Sequence, residues 1–392
     1  MCLLAFLLDI LLGNLYIWPL IFVFFLGGWQ PQARLGDGSV DIRFIRYKVE
    51  KMALRLTKFQ KQVCNVLQED LPICWQPFYD LAKYLGADEK TLLQEIEQLK
   101  KLGIIRRIRA LINYRALGQV STLVAAHVSQ DNLQAVTEAV NAIENVSHNY
   151  LRRHHYNLWF TLQASSAPEI ELTLSNLSGR FDIDFHSLPV ERVFKLDVRF
   201  DVESEEPAAG LLQDVAHLPK DPDLHTSKLV PAQAATVELN ENQKRILSVL
   251  QEELHLTSEP FAFLCSEGFG QEDLLRTIQE LIDSGVVRRI AAVVDHRKLG
   301  FTANVLFASE VPQDRIIEAG ERLARFRIVS HCYERKTFEG WPYNLFAMMH
   351  ARSMGEIQHV INRFVEAEKI DSFELLPTAR ELKKQPVKHR FK

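Results

Sequence analysis

Asn145-Val146-Ser147-His148-Asn149-Tyr150-Leu151-Arg152 reappears further along the chain as Ile328-Val329-Ser330-His331-Cys332-Tyr333-Glu334-Arg335. A few residues later Tyr156-Asn157-Leu158 reappears as Tyr343-Asn344-Leu345. Self-similarity at a fixed offset marks a tandem repeat, and it extends from Leu56 almost to the C-terminus. Core positions drift between copies as long as volume and polarity hold. A repeated Ser-His-x-Tyr-x-Arg is harder to explain by packing. It implies either two pseudo-equivalent sites or one site built from both halves.

Outward from this motif the two copies read element by element. Phe59 to Glu69 and Asn242 to Glu252 carry apolar residues at helical spacing. Pro77-Phe78 and Pro260-Phe261 each open a second short helix. Third helices run from Asp88 to Leu102 and from Gln271 to Ser284, ended by Gly103 and Gly285. The next runs, Ile104 to Ile108 and Val286 to Ile290, read as strands. Three helices and a strand make a winged helix-turn-helix pattern.

The remainder of each copy reads β-α-β-β-α-β, which is ferredoxin-like. The strands are Val120 to Val128, the Ser-His-x-Tyr segment, Asn157 to Gln163 and Asp182 to Leu188, with helices at Asp131 to Ile143 and Ala167 to Leu177. The second copy repeats this with strands at Ala303 to Ala308, the second Ser-His-x-Tyr segment, Asn344 to His350 and Ile370 to Leu376. Its helices are Gln313 to Phe326 and Ser353 to Glu366. The expected class is α+β, a tandem repeat forming an internal pseudo-dimer. The expected domains are 52–113 and 238–295 (helix-turn-helix), 114–200 and 296–392 (ferredoxin-like), and a linker at 201–237 rich in Glu, Pro, Asp and Ala.

Composition sets outer bounds. The chain has 392 residues and a formal net charge of −4, so no global basic character points to nucleic acid. The five cysteines are scattered without metal-ligand spacing, which reads as reduced thiols and a cytoplasmic location. Ile10 to Gly28 is nearly continuous apolar sequence, long enough to span a bilayer, yet no Lys or Arg precedes it. A membrane anchor and an upstream extension both fit. Because the first repeat begins close to Met52, residues 1–51 are expected to lie outside the fold, and any membrane contact would come only through residues 10–28.

Helix-turn-helix plus ferredoxin-like domain resembles the Lrp/AsnC transcription regulators. That resemblance implies a DNA-binding regulator that senses a tetrapyrrole or another small ligand. The third helices argue against DNA as partner. Asp88, Glu89, Glu95 and Glu97 share the first with Lys90, Lys100 and Lys101; Glu272, Asp273, Glu280 and Asp283 share the second with only Arg276. A recognition helix must approach phosphates, and an acidic face is repelled.

A closer resemblance covers Leu56 to Lys384. The two Ser-His-x-Tyr strings, Tyr156 to Leu162, Trp341-Pro342-Tyr343-Asn344, and Arg288-Arg289-Ile290 followed by Asp295 to Phe301 are similar to the siroheme decarboxylases, descendants of the Lrp/AsnC fold. The first copy resembles one subunit type and the second the other. The resemblance implies a carboxy-lyase converting two acetate side chains of siroheme to methyl groups, giving 12,18-didecarboxysiroheme in heme d1 biosynthesis. It implies no cofactor beyond the substrate's iron and no protein-bound metal. A further homodimer is compatible but unnecessary for one composite site.

A polycarboxylate substrate calls for guanidinium groups, and Arg106, Arg107, Arg288, Arg289, Arg152 and Arg335 are the candidates. Adjacent strand residues point to opposite faces, so at most one of each Arg pair should face a pocket. Loss of carbon dioxide leaves carbanion-like charge that needs a proton. His148 and His331 suit that delivery, iron ligation or carboxylate orientation. Tyr150 and Tyr333 offer a hydrogen bond or a second acid. The copies diverge where Tyr114 matches His296, making both candidate substrate contacts, and where only the second copy inserts Thr337 to Pro342.

Overall fold

The computed structural model describes residues 56–203, 230–231, 236–385, 387 and 391. The apolar extension at 1–51 and most of the 201–237 linker lie outside the described residues.

Each copy starts with the same device. Thr57 caps α1 (Lys58–Gln68) and exchanges hydrogen bonds with Gln60; Asn240 does the same with Gln243 at the start of α6 (Glu241–Leu250). Each such capping box satisfies two otherwise orphaned backbone donors. In the first copy Pro77 opens α2 (Pro77–Tyr84), followed by α3 (Glu89–Lys101). In the second copy the expected short helix after Pro260 is only a 3-10 turn (Ala262–Glu267), ended by Gly268 at φ +92°, before α7 (Gln271–Asp283). Leu92, Ile96 and Leu99 in α3 and Leu274, Ile278 and Leu281 in α7 are fully buried, at the 3-4 spacing of one helix face.

The strands that follow, β1 (Ile105–Ile112) and β7 (Val287–Val294), pair with each other, antiparallel. The two winged domains thus share one ribbon.

The ferredoxin-like halves contain β2 (Val120–Ala126), α4 (Leu133–Ala142), β3 (Val146–Arg152), β4 (Leu158–Ala164), α5 (Ala167–Phe181) and β5 (Phe185–Leu196) in the first copy. A two-residue strand, β6 (Val230–Pro231), lies on β5. The second copy has β8 (Ala303–Ser309), α8 (Ile316–Ala324), β9 (Val329–Arg335), β10 (Leu345–Ala351), α9 (Met354–Glu368) and β11 (Phe373–Lys384). Within each half the order is ferredoxin-like, β5-β2-β4-β3 and β11-β8-β10-β9.

The last strand of each half is longer than its sequence suggests. Residues 185–189 of β5 pair with β2, and residues 190–196 pair with β9 of the other half. Residues 373–377 of β11 pair with β8, and residues 378–384 pair with β3. The handover falls at Pro189 and Pro377. Proline reads as a strand end because it cannot donate to a ladder; here it marks where the strand changes partner. These exchanges close the eight strands β2-β4-β3-β11-β8-β10-β9-β5 into a ring, since β5 also pairs with β2. Outside the ring, α4 and α5 cover one half around Val136, Val140 and Phe160, and α8 and α9 cover the other around Leu323, Phe307 and Phe364. Inside, Trp159, Trp341, Leu188, Leu376 and Phe346 form a separate core.

Candidate active site

The repeated motif lies on β3 and β9, and the two-residue period of a strand sorts it. His148, Tyr150 and Arg152 line an internal cavity of about 1440 Å³, as do His331, Tyr333 and Arg335. The residues between them turn outward. Asn149 Nδ2 donates to Asn141 Oδ1 on α4 (3.0 Å), and Cys332 Sγ reaches the Gly320 carbonyl on α8 (3.7 Å). An irregularity in the β3–β4 register separates Val146 from His148, and one in the β9–β10 register separates Val329 from His331. Each serine–histidine pair is thereby brought side by side, with Oγ to Nδ1 at 2.9 Å in both copies.

Both motif arginines are buried, and among the described residues neither has a carboxylate partner. Arg152 donates to the Leu376 carbonyl (2.7 Å) and to Thr378 Oγ1 (3.2 Å), with its guanidinium 5.3 Å from the Tyr150 ring centroid. Arg335 donates to the Leu188 carbonyl (2.8 Å) and sits 4.7 Å over Tyr333. Burial pulls both guanidinium groups down to about 10. Nε of each remains buried without a hydrogen bond. Unneutralised buried cations are costly unless something pairs with them, so the cavity is built for anionic groups.

The two arginine pairs behave differently from each other. Arg106 makes a 2.7 Å ion pair with Asp295, and Arg107 is exposed; neither lines the cavity. The first copy instead supplies Arg109, one turn of the pleat further along β1. In the second copy both pair members reach the cavity wall, against the expectation of at most one. Arg289 is held by Asp197 (2.8 Å) and the Val198 carbonyl, whereas among the described residues Arg288 has only the Leu196 carbonyl at 3.4 Å. Solvent in the cavity reaches Arg288, yet the surrounding protein lowers its pKa from the ordinary guanidinium range.

Tyr114 and His296 hold matched places at the cavity margin. Burial raises the Tyr114 phenol, while Arg109 and Arg288 act against that rise. His296 is 3% exposed, stacks 5.4 Å from Phe200, and has an Nε2 with no hydrogen-bond partner. Burial depresses it to about 4. His148 is likewise held down to about 4 and His331 to about 3, by burial first and then by Lys384 and Arg288 respectively.

Several cavity groups escaped the sequence reading, among them Arg109, Arg115, Asn304, His350 and Lys384. Arg115 follows Tyr114 as Arg297 follows His296, so the repeat carried that signal. His350 is the penultimate residue of β10, on its inner face two residues from Met348, which a register count would have found. Lys384 lay beyond the expected end of its strand.

The chain is similar to known proteins over most of its length. The AsnC-like ligand binding domain matches residues 116–195 and again 298–383, and the siroheme decarboxylase NirDL-like HTH domain matches residues 60–106. The chain is 36% identical over 331 residues to a siroheme decarboxylase of Hydrogenobacter thermophilus, covering 84% of this chain and 94% of that protein.

The chain belongs to the siroheme decarboxylase family.

Other members of the siroheme decarboxylase family match it in part or in whole. A siroheme decarboxylase alpha subunit of Desulfovibrio desulfuricans is 36% identical over 150 residues, 38% of this chain and 87% of that subunit. The crystal structure of the siroheme decarboxylase NirDL in co-complex with an iron-uroporphyrin III analogue superposes with a TM-score of 0.61 at 33% identity, covering 86% of this chain and 95% of that one. The protein is thus a decarboxylating enzyme of tandem Lrp/AsnC-like architecture. No helix among the described residues is long and apolar enough to cross a membrane.

Proposed function

We propose that this chain decarboxylates siroheme in one composite cavity, converting two acetate side chains to methyl groups and giving 12,18-didecarboxysiroheme on the route to heme d1. The observation that carries the reading is the wall of that cavity. Both copies contribute an arginine without a carboxylate partner among the described residues and an imidazole four residues away, on the same strand face. At about 1440 Å³ the cavity exceeds the ~300–1,000 Å³ of ordinary small-molecule sites, as a tetrapyrrole requires. A siroheme decarboxylase structure holds an iron-uroporphyrin III analogue, and relatives named as separate subunits each match part of this chain.

Arg152, Arg335, Arg288 and Arg115 bind carboxylates, and the substrate brings its own iron. In each decarboxylation the methylene–carboxylate bond breaks and carbon dioxide leaves. The electron pair stays on the methylene carbon, spread into the pyrrole, until one proton makes it a methyl group. His331 is the proton carrier best defined by geometry. Ser330 Oγ donates its only proton to the Met348 carbonyl (3.2 Å), so it must accept from His331 Nδ1–H. Nε2 is left with its lone pair. Burial keeps this ring neutral; bound carboxylates favour the imidazolium, so binding recruits the proton that catalysis spends. His148 has a serine partner of its own, Ser147, and serves as the second carrier. Tyr150 and Tyr333, raised by burial, stay protonated and donate hydrogen bonds.

DNA binding finds no support in the third helices. Arg276 is engaged by Asp273 and Glu280, Lys101 by Glu97, and Lys100 by Glu253. Incubating the purified protein with siroheme without oxygen tests the reading: a product lighter by two carbon dioxides is expected. Unchanged siroheme together with tight, salt-sensitive DNA binding sinks it.

A further inference from the structure

His350 belongs to no repeated motif, yet it faces the cavity with its ring centroid 4.8 Å from that of His296. A chain of hydrogen bonds runs to it from Arg152. Arg152 Nη1 lies 3.2 Å from Thr378 Oγ1, Thr378 Oγ1 lies 3.0 Å from Asn304 Oδ1, and Asn304 Nδ2 lies 3.2 Å from His350 Nδ1. The direction of each bond follows from the first. A guanidinium has donors only, so Thr378 accepts from Arg152 and passes its one proton to Asn304 Oδ1. That orients the amide, whose Nδ2 then donates to His350. Nδ1 of His350 must carry the lone pair, and the ring proton sits on Nε2. A flipped amide would leave the Thr378 proton without an acceptor among the described residues.

We propose that His350 is a substrate-binding residue held as a neutral hydrogen-bond donor, presenting Nε2–H to a siroheme carboxylate, with Asn304 and Thr378 as its positioning residues. The proposal rests on the siroheme decarboxylase reading above and adds a division of labour to it. Ser330 leaves His331 with a bare Nε2 that can take up and release a proton. The Asn304 chain occupies the only basic nitrogen of His350, so this ring donates a hydrogen bond without surrendering a proton. The titratable and charged groups bearing on it are His296, His331, Lys384 and Arg152, all basic, and with burial they oppose a second ring proton. Such a donor suits a carboxylate that is retained, because stabilising a departing one in the ground state raises the barrier. The chain exists in one copy only. Matching positions in the first copy are Gln163 for His350, Ser121 for Asn304 and Val190 for Thr378. A Gln amide is itself a neutral donor.

Nitrogen-15 NMR of the histidine-labelled free protein, with His350 assigned through His350→Gln, reads the tautomer directly. Nε2–H is expected in the unmodified protein. Thr378→Val should shift the ring toward a tautomer mixture, and Thr378→Ser should restore it. Titrating siroheme by visible absorption, His350→Gln should hold Kd within ~3-fold, while His350→Leu should weaken it about tenfold or more. His350→Gln should lose much less turnover of bound siroheme than His331→Gln does. A proton on Nδ1 of the unmodified protein, or a His350→Gln variant as inactive as His331→Gln, overturns the proposal. If the unmodified protein releases no carbon dioxide from siroheme, the decarboxylase reading fails, while the nitrogen shifts and the siroheme titration still decide the role of His350.

Discussion

The two copies share a ladder of His, Tyr and Arg on one strand face, but they differ in what surrounds it. Across the ring His148 is paired with Lys384, whereas His331 is paired with Leu196. Around Tyr150 the basic groups Arg152, Arg297 and Arg106 are opposed by Glu381, and burial followed by that carboxylate pushes the phenol up to about 12. Around Tyr333 the charged neighbours are Arg335, Arg115 and Arg288. Only the second copy has the Asn304–His350 chain, and only Ser330 has a second acceptor that fixes the ring beside it. Duplication kept the His, Tyr and Arg ladder and let the neighbours that set charge and proton position diverge. We infer from the proton position that Ser330 fixes on His331 that this side takes the larger share of the chemistry.

The largest effect that tests this comparison is His331→Gln. It should lower turnover of bound siroheme by ~10²–10⁴-fold, the usual worth of a general acid, with His148→Gln costing less. Mass spectrometry of single-turnover samples reads both. A His148 variant that falls further than the His331 variant reverses the assignment.

Substrate affinity comes next. Arg288→Leu removes a cavity cation that makes no ion pair among the described residues, and siroheme Kd should rise roughly 10- to 100-fold. Arg107→Leu, on an exposed residue outside the cavity, should leave Kd unchanged in the same titration. Equal effects would mean the substrate lies elsewhere.

Acid sensitivity of the empty protein is a third, smaller difference. A histidine depressed by folding binds protons more readily when unfolded, so stability falls as pH drops below the unfolded value near ~6.5. The loss continues down to the folded values, about 4 for His148 and about 3 for His331. Melting temperature should therefore decline from ~6.5 downward. His331→Gln should flatten that limb to lower pH than His148→Gln does. A melting temperature that is flat over this range would show that the two rings are not buried neutral.

The smallest effect concerns packing. A Cβ on Gly320 would meet the Phe194 ring at 2.4 Å, whereas the matched position in the first copy is Thr137 on α4. Gly320→Ala should cost about 1–3 kcal/mol by overpacking, measured by urea unfolding, and Thr137→Ala less. Equal costs would mean that α8 moves freely away from β5.

Much of this was readable along the chain. The prolines that open short helices, the terminal glycines of the third helices and the apolar periodicity are local signals, and they placed most helices and strands. The expectation of two sites or one composite site was harder to resolve. Sequence order cannot show that β5 and β11 cross over after Pro189 and Pro377, because the partner that accepts them lies in the other copy. The short turn after Pro260 and the second cavity arginine at Arg289 went astray for a similar reason: local pattern does not report which neighbour claims a backbone or a side chain. Among site residues, His148, His331, Tyr150, Tyr333, Arg152 and Arg335 were visible through repetition. His350, Asn304 and Lys384 were not, because divergence between the copies is what makes them informative.

Sequence alone determined the duplication, the element order and the chemical groups on offer, since each depends on residue type and spacing within a short window. Tertiary structure decided which groups meet. It closed eight strands from two copies into one ring and gave β1 and β7 to each other as a shared ribbon. It also spent Arg106 on Asp295 and Arg289 on Asp197, while leaving Arg152, Arg335 and Arg288 without a carboxylate. The physical reason is that charge and proton position depend on through-space neighbours and burial, and these are fixed only when distant segments pack.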